Sequence, residues 1–341
     1  MTVGSTTQGG SHSADAFNAV RFDPDRRSGH VESLFFKVND SEGRRALWFK
    51  ATVLSPKHYA DQATASAWVT LFERGGENPV LRETTPFCEA SFSRTGLDVR
   101  VADLHFSQGR IEGRVRSGGH ELVVDLSYDG DSAPMVLLAG LMGDRFSWPR
   151  FKLASPNPML RMSGFYELDG VRTDVDGWTG MQGHNWGVAH TPSYVWFHAN
   201  QWHGGESVVV EAVAARARIG RYLSPPVCLA LADVGGVRYR FNGLLQGMTN
   251  RTWVSGMSWG FEARGPGARM KGRVWAPPEA FVGLPYRNPD GTVTYCSNSM
   301  IAFAELDIDA GGKEPMHLTT RQAALEFGSP TPPPCVEFAV L

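Results

Sequence analysis

The sequence predicts an all-β protein made of two tandem β units, of barrel or sandwich type, related by internal duplication. Three observations predict it. Convincing amphipathic helices are scarce. Short segments rich in Val, Phe, Trp and Tyr recur between Gly, Asn-Asp and Pro punctuation. The two halves of the chain also share a weak, ordered repeat. The 341 residues are enough for two domains that each bury a core without a metal or disulfide.

The elements follow in chain order. Residues 1–20, rich in Ser, Thr and Gly, read as a flexible lead-in; they lack the basic and apolar regions of a secretory signal. In a first unit, residues 21–155, strands are expected at "RALWFKATVL" (45–54), "SAWVTLFER" (66–74), "LDVRVADLHF" (97–106), "IEGRVRS" (111–117) and "HELVVDLSY" (120–128). The boundary is placed near "KLASPNPML" (152–160). In a second unit, residues 156–328, strands are expected at "ESVVVEAVAARARI" (206–219), "VRYRFNG" (237–243), "TWVSGMSWGFEA" (252–263), "MKGRVWA" (270–276) and "SMIAFAELDI" (299–308). A Pro-rich tail, 329–341, closes the chain. The repeat pairs "EGRVRSGGHELVVDLSYDG" (112–130) with "KGRVWAPPEAFVGLPYRNPDG" (271–291). It also pairs "GHVES" (29–33) with "GHNWG" (183–187), and "LWFKA" (47–51) with "VWFHA" (195–199).

Composition narrows the function. Lys plus Arg, 33, nearly balance Asp plus Glu, 35, with no long run of one sign, so no nucleic-acid partner is expected. The most apolar run, "APMVLLAGLMG" (133–143), is too short to span a bilayer, which leaves at most transient membrane contact. Cys88, Cys228, Cys296 and Cys335 lie far apart without a Cys-x-x-Cys pair, which argues against zinc and fits a cytoplasmic location.

The densest chemistry lies at 180–202, "GMQGHNWGVAHTPSYVWFHANQW". With a strand period of two, Tyr194, Trp196, His198, Asn200 and Trp202 share one face. That face is both the more polar and the more aromatic, as suits a pocket wall; a packed strand with hydrogen-bonded His and Asn is the structural alternative. His198 and His203 differ by an odd number and point to opposite faces, and no His-x-x-x-His pair occurs, so no metal is expected. "GMSWG" (256–260) fits Gly-x-Ser-x-Gly, but strand-like sequence flanks it instead of a strand-turn-helix corner, so a hydrolase is not expected.

"GFYELDGVRTDVDGWTGMQGHNWG" followed by "YVWFHANQW" resembles the tocopherol cyclase and carotenoid 1,2-hydratase (hydroxyneurosporene synthase)-like superfamily, with its tandem lipocalin-like, calycin-like domains. The matching elements are Asn185-Trp186-Gly187, then Trp196, His198 and Asn200. "GVRYRFN", "SGMSWGFEARG" and "YCSNSMIAFAELDI" agree in character over residues 30–310. The sequence departs from the pattern at His184, where relatives often carry an acidic residue or Lys, so a donor there does not carry over unchanged. The resemblance implies an apolar ligand site in or between two β-barrel or β-sandwich halves. It also implies chemistry without cofactor, in which an acid protonates a carbon–carbon double bond and water or an internal hydroxyl completes the reaction, or in which, as in some relatives, a ring closes pericyclically.

The residues can supply the parts. His184, His198, Asp176 and Glu211 are the candidate acids or bases. Glu211 in "VVVEAVAA" lies among apolar neighbours, where a carboxyl is held protonated. The carboxylate pairs of "ELDG" (Glu167, Asp169) and "DVDG" (Asp174, Asp176) have water-exposed turns as their structural alternative. Asn185, Trp186, Trp196, Asn200, Trp202, Trp259 and Tyr286 are the candidate substrate-binding residues, and Glu32 of "GHVES" leaves open whether the first half contributes. The expected function is a cyclase, hydratase or isomerase acting on an apolar isoprenoid- or polyketide-like substrate. The alternatives are a lipid- or terpenoid-binding protein without chemistry, and an interaction scaffold without an enclosed cavity.

Overall fold

The β-branched and aromatic residues that punctuate the chain form strands almost throughout. A computed structural model describes residues 14–130, 132–138, 150–203, 207–311 and 314–339. Residues 1–13 of the expected lead-in, 139–143 of the apolar run, Glu206 of an expected strand, and 340–341 of the tail lie outside the described residues.

The first sheet contains β1 (His30–Asn39), β2 (Arg45–Ser55), β3 (Thr64–Glu73), β4 (Val80–Pro86), β5 (Ser91–Phe92), β6 (Asp98–Val101), β7 (Leu104–Ser107), β8 (Arg110–Ser117), β9 (His120–Asp129), β10 (Phe151–Leu168) and β11 (Val171–Gly187). Their spatial order is β4-β3-β2-β1-β11-β10-β9-β8-β7-β6-β5. The rest of the chain forms β12 (Ser193–Ala199), β13 (Val208–Arg216), β14 (Arg218–Ile219), β15 (Tyr222–Leu223), β16 (Val227–Val234), β17 (Val237–Phe241), β18 (Arg251–Ser255), β19 (Ser258–Gly265), β20 (Ala268–Trp275), β21 (Val282–Arg287), β22 (Val293–Ala310) and β23 (Met316–Ser329). The second sheet runs β17-β16-β13-β12-β23-β22-β20-β19-β18, with β21 beside β22 and β14–β15 as a separate ribbon.

Both sheets follow one path. Four strands meander outward from an inner first strand, and the chain then crosses over and meanders back. The last strand pairs with the first: β11 with β1, and β23 with β12. The penultimate strands, β10 and β22, both carry register shifts. The fold is therefore all-β and duplicated, as its two lipocalin-like units require.

The detailed sequence correspondence differs. "GHVES" and "GHNWG" are not equivalent pieces of two units but hydrogen-bonded neighbours, with Val31 opposite Gly187 and Leu34 opposite His184. The expected boundary at 155/156 falls inside β10, and the chain passes between sheets at 188–192. Pro156 and Pro158 lie in that part of β10, and proline cannot donate to a ladder. Here the register shifts between Ala154 and Leu160 take both prolines out of the pairing. Two expected strands are each a hairpin. Residues 97–106 turn at Ala102, which has a left-handed φ of 49°, and 252–263 turn at Gly256. The second turn places "GMSWG" in a strand–turn–strand setting.

Strand alternation divides the core. Leu34, Phe36 and Val38 of β1 face the interior of the first sheet with Leu47, Phe49 and Phe106. Phe35, Lys37 and Asn39 face the second sheet. Phe35 meets Trp196 edge-on at 5.9 Å. The Lys37 ammonium donates to the Gln322 carbonyl at 2.5 Å, and Asn39 Nδ2 donates to the Met300 carbonyl at 2.7 Å. Burial pushes the Lys37 ammonium down to about 7.

Residues 14–20 of the expected lead-in are built into the fold, together with Arg21 and Phe22. Helix α1 (Ala14–Asn18) ends at the buried Asn18, whose Oδ1 accepts from Gln182 Nε2 at 2.5 Å. The backbone N–H groups of Arg21 and Phe22 then donate to the two oxygens of Glu32, at 2.7 and 2.8 Å. At the other end, Phe338 of the irregular tail forms a bridge with Gly283. No helix among the described residues is long and apolar enough to cross a membrane.

Candidate active site

A cavity of about 820 Å³ opens between the two sheets. That volume lies in the range of small-molecule sites. Phe35, Leu153 and Asn185 come from the first sheet, and Tyr194, Trp196, Val213, Leu229 and Glu326 from the second. The 188–192 connection and the turn around Asn288 complete the wall. Sheet register explains the composition. Trp196 lies opposite Val213 on one side and Glu326 on the other, so all three side chains leave the sheet on the cavity face.

Glu326 is the carboxyl that the second sheet's strands place on this wall. It reaches the cavity from an enclosed position, and burial raises its pKa, while nearby Lys50 acts in the opposite direction. Tyr194 donates its O–H to Glu326 Oε2 at 3.4 Å. Burial raises the Tyr194 phenol well above its ordinary value, so it stays a donor. Lys50 sits 3.9 Å from the centre of the Tyr286 ring, and burial lowers its ammonium to about 8.

His190 stands on the same wall, stacked on Tyr286 at 5.3 Å. Its backbone N–H donates to Asn288 Oδ1 at 2.8 Å, which fixes that oxygen as the atom facing the ring. Nδ1, 3.0 Å from the same oxygen, must therefore carry the proton and donate, leaving Nε2 as the acceptor. Burial, then Lys50, pushes the ring down to about 3, so His190 is neutral at physiological pH.

The structure separates the residues expected from sequence. Trp196 and Asn185 line the cavity. His198 is fully buried beneath it, opposite Glu211, and burial followed by Lys37 holds its imidazolium well below the usual range. Asn200 is a tether, its Nδ2 donating to the carbonyls of Pro158 and Gly180. Trp202 turns away to meet Phe197, and Trp259 lies inside the second sheet with its indole N–H on Thr252. Tyr286 supports His190 from outside the main cavity.

Three expectations are corrected by facing. His184 and Trp186 point into the first sheet, because the strand period sends only Asn185 of "HNW" to the other side. His184 is fully buried, with Nδ1 on the Phe17 carbonyl and Nε2 2.9 Å from Glu32 Oε1, so neither ring nitrogen reaches the cavity. Asp176 is exposed at a β11 bulge and lines no part of the cavity. Glu326, Tyr194 and His190 were not singled out as site residues. Glu326 carried a readable signal, a lone carboxyl in "AALEFG", of the same kind that drew attention to Glu211.

Glu211 stands behind the wall. Its Oε1 accepts from Trp196 Nε1 at 3.0 Å and from Ser155 Oγ at 2.9 Å, which fixes the indole plane. Burial raises its carboxyl to about 7. A carboxyl raised in the folded state binds its proton more tightly there, so folding stability falls as pH rises from 4.5 to about 7. We expect Glu211→Gln to remove a slope of about 1.4 kcal/mol per pH unit across that window. Urea titrations from pH 4 to 8 measure it, and an unchanged slope would assign the proton elsewhere.

No family model matches the chain. Uncharacterised proteins from two strains of Mycobacterium tuberculosis, CDC 1551 and H37Rv, are each 27% identical over 300 residues, covering 84% of this chain and 83% of theirs. Three solved structures share the fold. A candidate AttH of Nitrosomonas europaea superposes with a TM-score of 0.55 at 13% identity, over 93% of this chain and 99% of that one. CghA, solved with Sch210972, gives 0.54 at 12% identity, over 89% and 88%. Kievitone hydratase of Nectria haematococca gives 0.51 at 11% identity, over 93% and 95%. The chain shares its lipocalin-like fold with these three proteins. The likeness does not single out tocopherol cyclase. Among the described residues, no group of three or more His, Cys, Asp or Glu is placed to hold a metal ion.

Proposed function

We propose that this chain is an acid–base enzyme of hydratase, cyclase or isomerase type, acting on a carbon–carbon double bond of an apolar isoprenoid- or polyketide-like substrate between two lipocalin-like units that divide at 188–192. The observation that carries it is the enclosed Glu326 carboxyl on the wall of the 820 Å³ cavity. The shared fold with a hydratase supports it.

A protonated Glu326 transfers its proton to an alkene carbon, and the π pair forms the new C–H bond. Trp196 and Tyr194 present aromatic groups at the cavity wall, where their faces stabilise the cationic carbon left behind. The carboxylate that remains is stabilised by Tyr194 O–H and by the charge of Lys50. Water or a substrate hydroxyl then attacks the cation through its oxygen lone pair. The proton it sheds returns to Glu326, while His190 Nε2 holds the nucleophile by accepting a hydrogen bond.

Turnover of an isoprenoid and polyketide alkene panel in D2O tests this. A product carrying one carbon-bound deuterium by mass spectrometry is expected for the wild type and not for Glu326→Gln. An apolar molecule extracted from the purified protein, with no deuterium entering any substrate, would instead favour a binding protein.

A further inference from the structure

The inner walls of the cavity are apolar and aromatic, but its mouth is not. Arg150, Arg216 and Arg218 line it, with Lys152 deeper and almost buried. Against the three arginines stand two carboxyl groups of the lining, Asp290 and Glu326. Asp290 closes its own turn, accepting from the Thr292 backbone N–H at 3.0 Å and the Thr292 hydroxyl at 2.6 Å. Burial of Glu326 favours its neutral form. His190 is neutral as well. Asp290 stays ionised within Coulombic reach of Arg150, so the exposed part of the lining carries three arginines against one carboxylate.

Those three arginines also differ from many others in the chain. Arg45, Arg110, Arg116 and Arg238 are each held by a carboxylate at 2.5 to 2.9 Å. Among the described residues, Arg150, Arg216 and Arg218 have no carboxylate within 4.0 Å. They come from separate parts of the chain, the start of β10 and the β13–β14 junction, and the fold gathers them on one rim. Guanidinium groups facing an apolar chamber suit an amphiphile with a planar or tetrahedral anion at one end.

We infer that the ligand of this cavity is an anionic amphiphile, its carboxylate or phosphate held at Arg150, Arg216 and Arg218 and its hydrocarbon running inward toward Trp196 and Leu229. The inference deepens the proposed function and rests on that reading of the cavity. It sets a polarity for the substrate: the charged end stays at the rim, and the reacting double bond lies inward along the chain, beside Glu326.

Displacement of N-phenyl-1-naphthylamine, a neutral apolar fluorophore, tests it on the full chain with dodecanol, laurate and dodecyl phosphate as competitors. We expect the two anions to displace the probe at least about tenfold more strongly than dodecanol at low salt. That advantage should shrink as salt rises. It should also vanish in the triple variant Arg150→Gln, Arg216→Gln, Arg218→Gln, with dodecanol binding unchanged. The ranking of laurate against dodecyl phosphate identifies the anion. Equal displacement by all three competitors overturns the anionic rim while leaving the apolar cavity standing. Failure of the fluorophore to bind at all overturns the cavity reading and this inference together.

Discussion

Replacing Glu326 by Gln is expected to lower turnover by about 10²- to 10⁴-fold, the usual worth of a positioned general acid. That range corresponds to about 3–5 kcal/mol of barrier. Gln keeps the size of the side chain and an acceptor for Tyr194 O–H but cannot deliver a proton. Ligand affinity should therefore change little, and the loss should fall on kcat. The pH profile gives a second readout. Because burial raises the Glu326 pKa, the acid form persists above the ordinary carboxylate range, and the rate should fall only as pH passes that raised value. Tyr194→Phe removes a hydrogen bond that favours the ionised form, so it should move the falling limb to higher pH. A basic limb that is unchanged in Tyr194→Phe, together with full activity in Glu326→Gln, would remove Glu326 from the reaction.

The fold class was legible because it depends on many weak signals that agree. Strand-like periodicity recurs along both halves, and no single misread segment alters the class. Pairing was much less legible. "GHVES" and "GHNWG" look alike yet are paired neighbours, so local similarity suggested an equivalence that the register does not give. The boundary near 152–160 followed from the apparent repeat, and the register shifts that take Pro156 and Pro158 out of a central ladder leave no mark in local sequence.

The site was half legible for a related reason. Alternation along β12 correctly grouped Tyr194, Trp196 and His198 on one face, since that needs only the strand period. Depth along the strand does not follow from period. Tyr194 and Trp196 reach the cavity, while His198 is fully buried, feeling the charge of Lys37, and Asn200 is consumed as a tether. Glu326 joins the site through the pairing of β23 with β12, a contact between residues 130 positions apart in the chain. Only that long-range register distinguishes it from any other carboxyl in a strand.

Glu32→Gln should destabilise the fold by about 3–5 kcal/mol, the cost of breaking a buried pair by removing one charged partner. Glu32 is buried and accepts from four groups: the backbone N–H of Arg21 and of Phe22, His30 Nε2 at 2.7 Å and His184 Nε2 at 2.9 Å. Burial alone would raise its carboxyl, but the hydrogen bonds and charge of His184 and His30 outweigh burial and bring it down to about 2. The sign follows from the folded value lying below the unfolded one. The stabilisation is complete above pH 4.5 and is lost as pH falls toward 2. It amounts to about 3 kcal/mol for a shift of this size. In urea unfolding, the gap between wild type and Glu32→Gln should thus be wide at pH 7 and narrow steadily below pH 4.5. A gap that stays constant with pH would assign the loss to packing. Because two of the four donors are backbone groups just beyond α1, amide exchange in residues 17–22 should quicken in the variant before that of β12 and β23, where the cavity lies.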